Sequence, residues 1–275
     1  MQNTVADSFD VTTLLGSKLG LSLLLPMELD KDSKFTLNYL LNVFPDDVGE
    51  EDEIPKLRYF GVGINGCYNA DDTTLQSAYN PKRTDMNLYS LIPIRCRPVD
   101  EDLSASERAN YRLRVKKILN DGNEYYLYYL KTLNYTNRNV KFKRVSPLTG
   151  AEEGCELSST YLNPTPEKPS TSTTVETSAT SVVAYAEASI TLEAKEILEY
   201  ISIMYSGDTR YAKISEIGFF TGIDSTVTKD SVTYTESLYT QLYNHVTWLG
   251  ANLTREGMSF ESTFQINSNG SISEE

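Results

Sequence analysis

The sequence is poor in the residues on which most enzymes and metal proteins depend. Among 275 residues there are one tryptophan, three cysteines and one histidine, His245. The cysteines stand far apart with no Cys-x-x-Cys pair, which argues against a zinc site and against a disulfide framework. Because a two-histidine metal site cannot form within one such chain, we expect no metal, no cofactor, no small-molecule substrate and no enzymatic activity, with His245 in the core or at an interface.

A long apolar run is also missing. The most apolar stretch, residues 19–27, is too short to cross a bilayer, which takes about 20 residues. The first ten residues have no basic start and contain Asp7 and Asp10, unlike a signal peptide. We expect a soluble protein that is not exported and has no membrane partner.

Charge is abundant but unevenly divided. The chain has 25 Lys and Arg against 38 Asp and Glu, a net charge of −13. Between Lys82 and Arg144 the balance reverses, with fourteen basic residues against seven acidic ones. A basic surface on an acidic body can bind the acidic body of another copy or a nucleic acid; alternatively, the basic side chains neutralise acids of the same fold. The sequence leaves both interpretations open.

Residues 111–145 predict a three-stranded antiparallel meander with one basic face. Apolar and basic residues alternate at both ends of this stretch, and Asp121-Gly122 supplies a hairpin turn before an aromatic strand. A capping box from Ser104 to Glu107 predicts a helical turn just before it. The predicted docking residues on the basic face are Arg112, Arg114, Lys116, Lys141, Lys143 and Arg144.

The overall pattern predicts a β-rich α+β fold with antiparallel sheets and a few amphipathic helices, the strongest of them in the C-terminal half. We expect a β-rich domain with an N-terminal arm over residues 1–162 and an α+β domain over 182–275. Residues 163–181 are rich in Pro, Ser and Thr and predict a linker or projecting loop.

Individual elements follow from periodicity. Strands are predicted over 57–64, 182–190, 211–221 and 258–266. Helical spacing predicts one amphipathic helix over 192–205 and a second that begins at a Thr233–Glu236 cap and ends at Gly250. Two N-terminal stretches stay ambiguous: 11–25 fits a short buried strand or a docking arm, and 35–44 fits a strand or a short helix.

Gly61, Gly63 and Gly66 match the G-x-G-x-x-G pattern of dinucleotide-binding loops. Such a site requires a helix that begins at the third glycine and holds the phosphates at its N-terminus. The residues that follow are polar and include Asp71 and Asp72, which would repel phosphate. The motif therefore indicates a glycine turn and not a nucleotide site.

Several short blocks resemble virion structural proteins of tailed bacteriophages. They cover perhaps two thirds of the chain and are residues 57–69, 88–95, 111–114, 194–201, 210–224, 232–236 with Gln241, and 260–266. The resemblance implies a part of the tail, baseplate or neck, made in the host cytoplasm and located in the virion, and it brings no catalytic residues.

From this we expect a structural subunit that docks on copies of itself and on other virion proteins through complementary charged and Tyr-rich surfaces. The alternative is a binding module for nucleic acid, as a lining of the neck channel, or for a surface glycan. An enzyme that uses paired carboxylates ranks last, because the acidic residues stand in loop-like runs.

Overall fold

The computed structural model describes residues 8–25, 28–69, 76–135, 139–146, 149–156, 181–267 and 272–274. Most of these residues lie in antiparallel strands. In chain order the strands are β1 Phe9–Thr12, β2 Lys56–Gly63, β3 Cys67–Asn69, β4 Gln76–Ala78, β5 Leu91–Ile92, β6 Arg95–Pro98, β7 Tyr111–Ile118, β8 Glu124–Thr132, β9 Lys141–Val145, β10 Glu152–Cys155, β11 Ser181–Glu193, β12 Lys213–Lys229, β13 Val232–Asn252, β14 Ser259–Asn267 and β15 Ile272–Glu274.

Helices are fewer, and the two longest are shared between the halves of the chain. The described α-helices are α1 Leu14–Leu24, α2 Leu37–Leu41, α3 Ala105–Arg108 and α4 Ala194–Met204. Short 3₁₀ turns cover Ser33–Phe35, Val99–Glu101 and Thr209–Tyr211. The β-rich α+β class is confirmed, but α1 and α4 have eleven residues each, so the helices are not concentrated in the C-terminal half. No helix in the described residues is long and apolar enough to span a bilayer.

The strands form two large sheets and one small one. The eight-stranded sheet has the order β1-β13-β12-β2-β8-β6, with β5 beside β2 and β7 beside β8. The five-stranded sheet has the order β10-β9-β11-β14-β15, and β3 pairs with β4. Both large sheets contain strands from each side of the predicted linker. Since 163–180 lie outside the described residues, the linker itself stays a prediction, but backbone hydrogen bonds join the regions on either side of it.

The two large sheets pack against each other through one apolar core. Phe219 on β12 meets Phe264 on β14 with ring centres 5.0 Å apart, and Trp248 on β13 stacks on Phe260 at 5.7 Å. Helix α4 adds Ile197 and Ile201 to this core. Its predicted amphipathic pattern is confirmed, as is the capping box of α3.

The opposite face of the eight-stranded sheet has its own apolar cluster. Tyr59, Leu127, Phe220 and Leu242 lie under Leu37 of α2. Residues 35–44 are thus helical, the second of the two predicted alternatives. Helix α1 and the strands β3 and β4 cover the same side of β13. This layer over β13 is the part of the fold that matters for interaction.

The predicted second C-terminal helix is wrong, because its residues form the middle of β13. Its stripe of apolar residues at spacings of three and four comes from β-bulges: the pairing with β12 shifts at Phe219/Phe220 and again at Thr221/Ile223. A bulge adds one residue to a strand, so the inward-facing positions no longer alternate strictly. The richness in Tyr, Thr and Val favours a strand here.

The predicted meander is correct only for its first two strands. β7 and β8 form the expected hairpin from Tyr111 opposite Lys131 to Ile118 opposite Glu124. β9 leaves this sheet and pairs with β10 and β11 in the other one. The chain crosses over through an isolated bridge between Asn134 and Ser189. The residues of the predicted basic face are consequently divided between two sheets.

Candidate interaction site

The predicted basic face of β7 is turned into the protein, and its arginines pair with acids of the same chain. Arg112 is 6% exposed, and its Nε donates to Asp224 Oδ1 over 2.8 Å. Asp224 on β12 also accepts from Arg58 Nη1 at 2.6 Å and from the Tyr59 hydroxyl. Burial raises the pKa of Asp224, but these hydrogen bonds outweigh it and hold the pKa below its ordinary value. Arg112 therefore joins strands within the fold.

Arg114 is buried to a similar degree. Its Nη2 donates to Asp102 Oδ2 at 2.9 Å, and its guanidinium carbon lies 3.4 Å from the centre of the Tyr126 ring. The Tyr128 hydroxyl donates to the other oxygen of Asp102 at 2.6 Å. Burial acts to lower the pKa of Arg114, but the negative charge of Asp102 more than reverses this effect, so the guanidinium stays charged. Arg114 has its counter-ion inside the chain.

Between these two arginines the backbone of β7 bulges and is held by a buried carboxylate. Leu113 has a φ of 55° and no register partner in β8. Its N–H and that of Arg114 donate to Glu236 on β13 at 2.6 and 3.0 Å. Burial raises the pKa of Glu236 even though the carboxylate accepts these bonds. The edge of β7 is thus closed by a side chain at two positions where another strand would need free N–H groups.

The other predicted docking residues are Lys116 on β7 and Lys141, Lys143 and Arg144 on β9. Lys116 lies 2.8 Å from Glu124 across the hairpin. Lys141 and Lys143 lie 2.6 Å from Glu187 and Glu152, and Lys143 also donates to Gln265. Arg144 is half-buried on the same strand. The six residues do not form one surface, and the alternative in which basic residues neutralise acids of the same fold describes their pairs.

The glycine motif lies mostly within β2. Gly61 and Gly63 are strand residues, so the predicted turn is wrong for them, and the chain bends only after Gly63. A Cβ at Gly63 would lie 2.8 Å from Glu216 Oε1, and one at Gly66 would lie 2.0 Å from the Ser215 carbonyl oxygen. These glycines let the chain approach β12 closely.

Helix α1 packs closely on the outer side of β13. Thr13 caps the helix by accepting from the Gly16 N–H at 3.0 Å, and its hydroxyl donates to the Leu242 carbonyl oxygen at 2.6 Å. A Cβ at Gly16 would lie 2.5 Å from the Tyr243 carbonyl oxygen, so only glycine permits this approach. The helix buries Gly16 and Leu19 and leaves most of its leucines outside.

An apolar layer results, which we define as residues 8–40 and 68–89 where described. It holds most of the exposed large hydrophobic side chains of the described chain, and Leu24 at 82% is the most exposed of all. An extended exposed apolar area of this kind marks an interaction surface more often than an isolated exposed leucine does. Its exposed members include Phe9, Leu14, Leu21, Leu23, Leu24, Leu25, Phe35, Tyr39, Leu40, Tyr68, Tyr79, Met86 and Tyr89.

Three tyrosines of this layer contact one another in a row. The Tyr68 and Tyr79 ring centres are 4.6 Å apart, and those of Tyr79 and Tyr89 are 5.8 Å apart. The row ends on the buried ring of His245, 4.8 Å from Tyr89. All three tyrosines are about two-fifths exposed, and rigid aromatic rings with a polar tip are favoured at protein interfaces.

A polar cleft of about 240 Å³ lies where α4 begins, between β7, β8 and α3. Its charged residues are already paired: Lys131 Nζ lies 2.9 Å from both carboxylate oxygens of Glu196, which also accepts from the Tyr111 hydroxyl. Within the described ranges no group of three His, Cys, Asp or Glu side chains is placed to hold a metal ion. The cleft offers no reactive arrangement comparable in size to the apolar layer.

The chain belongs to a family of unknown function, DUF7208, whose model matches residues 1–270. No curated protein matches the chain. No solved structure matches it either. The family description names no activity, substrate or partner, so the resemblance to virion proteins remains a prediction.

Sequence reasoning named the wrong residues for docking and half-recognised the right segment. Residues 11–25 were open to interpretation as a docking arm, and Tyr-rich surfaces were expected at contacts. The signal that separates α1 from a buried strand is the spacing of its small residues: Gly16 meets Tyr243, whereas a Cβ at Gly20 would meet nothing within 4 Å. That difference needs the position of β13, which local sequence does not contain.

Proposed function

We propose that this protein is a structural subunit of a tailed-bacteriophage virion, in the tail, baseplate or neck. It docks on copies of itself or on other virion proteins through the apolar layer of α1, α2 and the tyrosine row. The observation that carries the proposal is the concentration of exposed leucine and tyrosine side chains on this one layer. The block resemblance supports the choice of particle.

The layer replaces the basic residues as the docking surface. Arg112, Arg114 and Lys143 are at most 6% exposed and have partners within the chain, so they contribute to the fold. Docking that buries Leu21 and Leu24 removes apolar area from water, at about 25 cal/mol for each Å². Assembly by this route depends weakly on salt, unlike assembly by charged surfaces.

The experiment is mass spectrometry of gradient-purified particles from a phage that encodes this chain, with copy number per particle. Copy numbers in multiples of three or six support a ring or baseplate part. Absence from intact particles would overturn the structural proposal. The docking surface is tested by the double variant Leu21→Asp, Leu24→Asp, which we expect to fold but not to enter particles.

A matched control is Ile118→Asp at the exposed end of β7, since Ile118 is 62% exposed but lies outside the layer. It should enter particles normally. Normal incorporation of the leucine variant would contradict the assigned surface while leaving membership of the particle intact.

A second candidate is a glycan-binding module, and the exposed row of Tyr68, Tyr79 and Tyr89 favours it. The C–H faces of sugars stack on aromatic rings. Saturation-transfer NMR with host-surface oligosaccharides, repeated with Tyr79→Ala, tests this. The nucleic-acid alternative has less support, because the basic residues on which it depended are ion-paired; salt-dependent DNA binding would restore it.

A further inference from the structure

The only histidine of the chain lies directly beneath the apolar layer, between two carboxylates. His245 on β13 is fully buried. Its Nδ1 lies 3.0 Å from Asp85 Oδ2, and its Nε2 lies 3.2 Å from Glu216 Oε2. An ionised carboxylate only accepts hydrogen bonds, so the protons on this ring can be counted from its contacts.

Glu216 is filled as an acceptor. Its Oε1 accepts the N–H groups of Asn65 at 2.9 Å and Ser90 at 3.2 Å. Its Oε2 accepts the Tyr89 N–H at 2.6 Å and faces His245 Nε2. Four donors on two oxygens use all the lone pairs of an ionised carboxylate. The donor toward Glu216 must therefore be the ring, and Nε2 carries a hydrogen.

The contact on the other side of the ring needs one more proton. Asp85 Oδ2 accepts the Lys82 N–H at 2.8 Å and lies against His245 Nδ1. Either Nδ1–H donates to ionised Asp85, or protonated Asp85 donates to Nδ1, and both forms hold the same number of protons. Without that proton, two lone pairs face each other at hydrogen-bond distance, and the contact becomes repulsive.

Asp85 is also what holds the layer in place. It closes the turn from Lys82 to Asp85, and within this turn the Arg83 carbonyl oxygen accepts the Leu14 N–H at 2.7 Å. The Arg83 guanidinium reaches the Ser17 hydroxyl at 3.2 Å. The start of α1 is thus attached to the turn, and the turn is attached to His245.

We propose that the proton shared by His245 and Asp85 fastens the turn and the first turn of α1 to the sheet, so that its loss at higher pH loosens the docking layer. This inference rests on the proposed function only for its consequence in assembly. The layer is held with the proton present and released when the proton leaves, so docking weakens as pH rises.

The groups around the ring make this a single-proton device. The titratable groups that face His245 are Asp85 and Tyr89 from the covering segment and Glu216 from β12, with Tyr79 behind Tyr89. Burial and the neighbouring Asp85 raise the pKa of Tyr89 to about 12, so Tyr89 stays neutral. The partners of His245 across the sheet, Val11 of β1 and Gly218 of β12, carry no charge.

Because the chain has one histidine, a single experiment follows the proton and the helix together. Full-length protein labelled with ¹⁵N gives the protonation of both His245 nitrogens by NMR, while hydrogen exchange reports the Leu14 amide, corrected for its intrinsic rate. We expect the protection of Leu14 to fall about tenfold or more across the same pH range in which the ring loses its proton. Protection that stays constant through the ring transition would overturn the proposal.

Two variants separate this mechanism from general effects of pH. Asp85→Asn keeps an oxygen for the Lys82 N–H and gives Nδ1 an amide donor, so the Leu14 protection should become independent of pH. Asp30→Asn makes the same change in charge beside Lys18 on α1, at an exposed site, and should leave the pH dependence as it was. Equal pH dependence in all three proteins would also overturn the proposal.

The outcome is independent of whether the protein is a virion part. Ring protonation and amide exchange are measured on the isolated chain, whereas the proposed function is tested in particles. Coupled transitions in a protein that is absent from particles would keep the proton mechanism and reject the docking role.

Discussion

Strand β7 and helix α1 occupy places opposite to those that their compositions suggest. β7 alternates basic with apolar residues, yet Arg112 and Arg114 are almost completely buried. Helix α1 is rich in leucine, yet Leu21 and Leu24 are exposed. The difference shows that counter-ions decide where a charge can lie, and that backbone approach decides which face of a helix is buried.

The two regions also differ in how their positions are enforced. A buried charge is stable only while its partner is present, since removing one member leaves the other desolvated and unpaired. An exposed leucine costs the isolated chain little and gains energy only when a partner covers it. The comparison therefore predicts large effects of mutation at β7 in the isolated protein and small ones at the outer face of α1.

The largest effect is expected for Arg114→Ala. Loss of the guanidinium leaves Asp102 buried without its closest counter-ion and removes the contact with the Tyr126 ring. We expect the free energy of unfolding to fall by about 3–5 kcal/mol, measured by urea denaturation. The control is Lys116→Ala two residues further along, where the pair with Glu124 is exposed and should contribute about 0–1 kcal/mol. Equal losses in both variants would contradict the comparison.

The next effect concerns the buried side of α1. Leu19 is 4% exposed, and Leu19→Ala removes its contact with the sheet and leaves a cavity. We expect a loss of about 2–4 kcal/mol by the same measurement. Leu21→Ala, two residues away on the exposed side, is the control and should change stability very little. If both variants lost similar stability, α1 would not have the outer face described above.

Part of this comparison could be predicted from sequence. Local signals were sufficient for the β7–β8 hairpin, for α4 and for the caps of α3, because each depends on residues a few positions apart. The predicted helix within β13 failed because bulges in a long strand imitate helical spacing. No nearby residue indicates that Asp224 and Glu236, more than a hundred positions away, would reach Arg112 and Leu113.

The apolar layer was recognised only as an open alternative for a related reason. Exposure of α1 depends on how Gly16 meets Tyr243 and on how the segment at 79–90 lies over β13, both long-range contacts. The proton-sharing cluster was missed altogether, since Asp85, Glu216 and His245 are dispersed along the chain. A lone histidine gave no reason to expect two carboxylate partners.

An intermediate effect with a definite pH dependence is expected for Asp224→Asn. The folded-state pKa of Asp224 lies below its ordinary value, so the ionised form stabilises the fold above the unfolded-state pKa of about 3.9, and this stabilisation is lost as pH falls through the folded-state value. At pH 7 the variant should be less stable by about 1.5–3 kcal/mol, the range for hydrogen bonds to a charged group. The difference from the unmodified protein should shrink in strongly acidic solution, as measured by urea denaturation at both pH values. A constant difference would mean that the charge of Asp224 is not what Arg112 and Arg58 stabilise.

The smallest effect on stability, and the most informative one for the docking layer, is expected for the double variant Leu21→Ser, Leu24→Ser. Both side chains are exposed in the isolated chain, so the free energy of unfolding should change by no more than about 0.5 kcal/mol. If the layer is a docking surface, the same variant should lose self-association or partner binding, measured by light scattering and by incorporation into particles. A large loss of stability would show that these leucines pack within the monomer, whereas unchanged stability with unchanged association would leave the layer as exposed apolar surface without a partner. Only unchanged stability combined with lost association fits an outer face of α1 whose apolar residues are buried by assembly and not by folding.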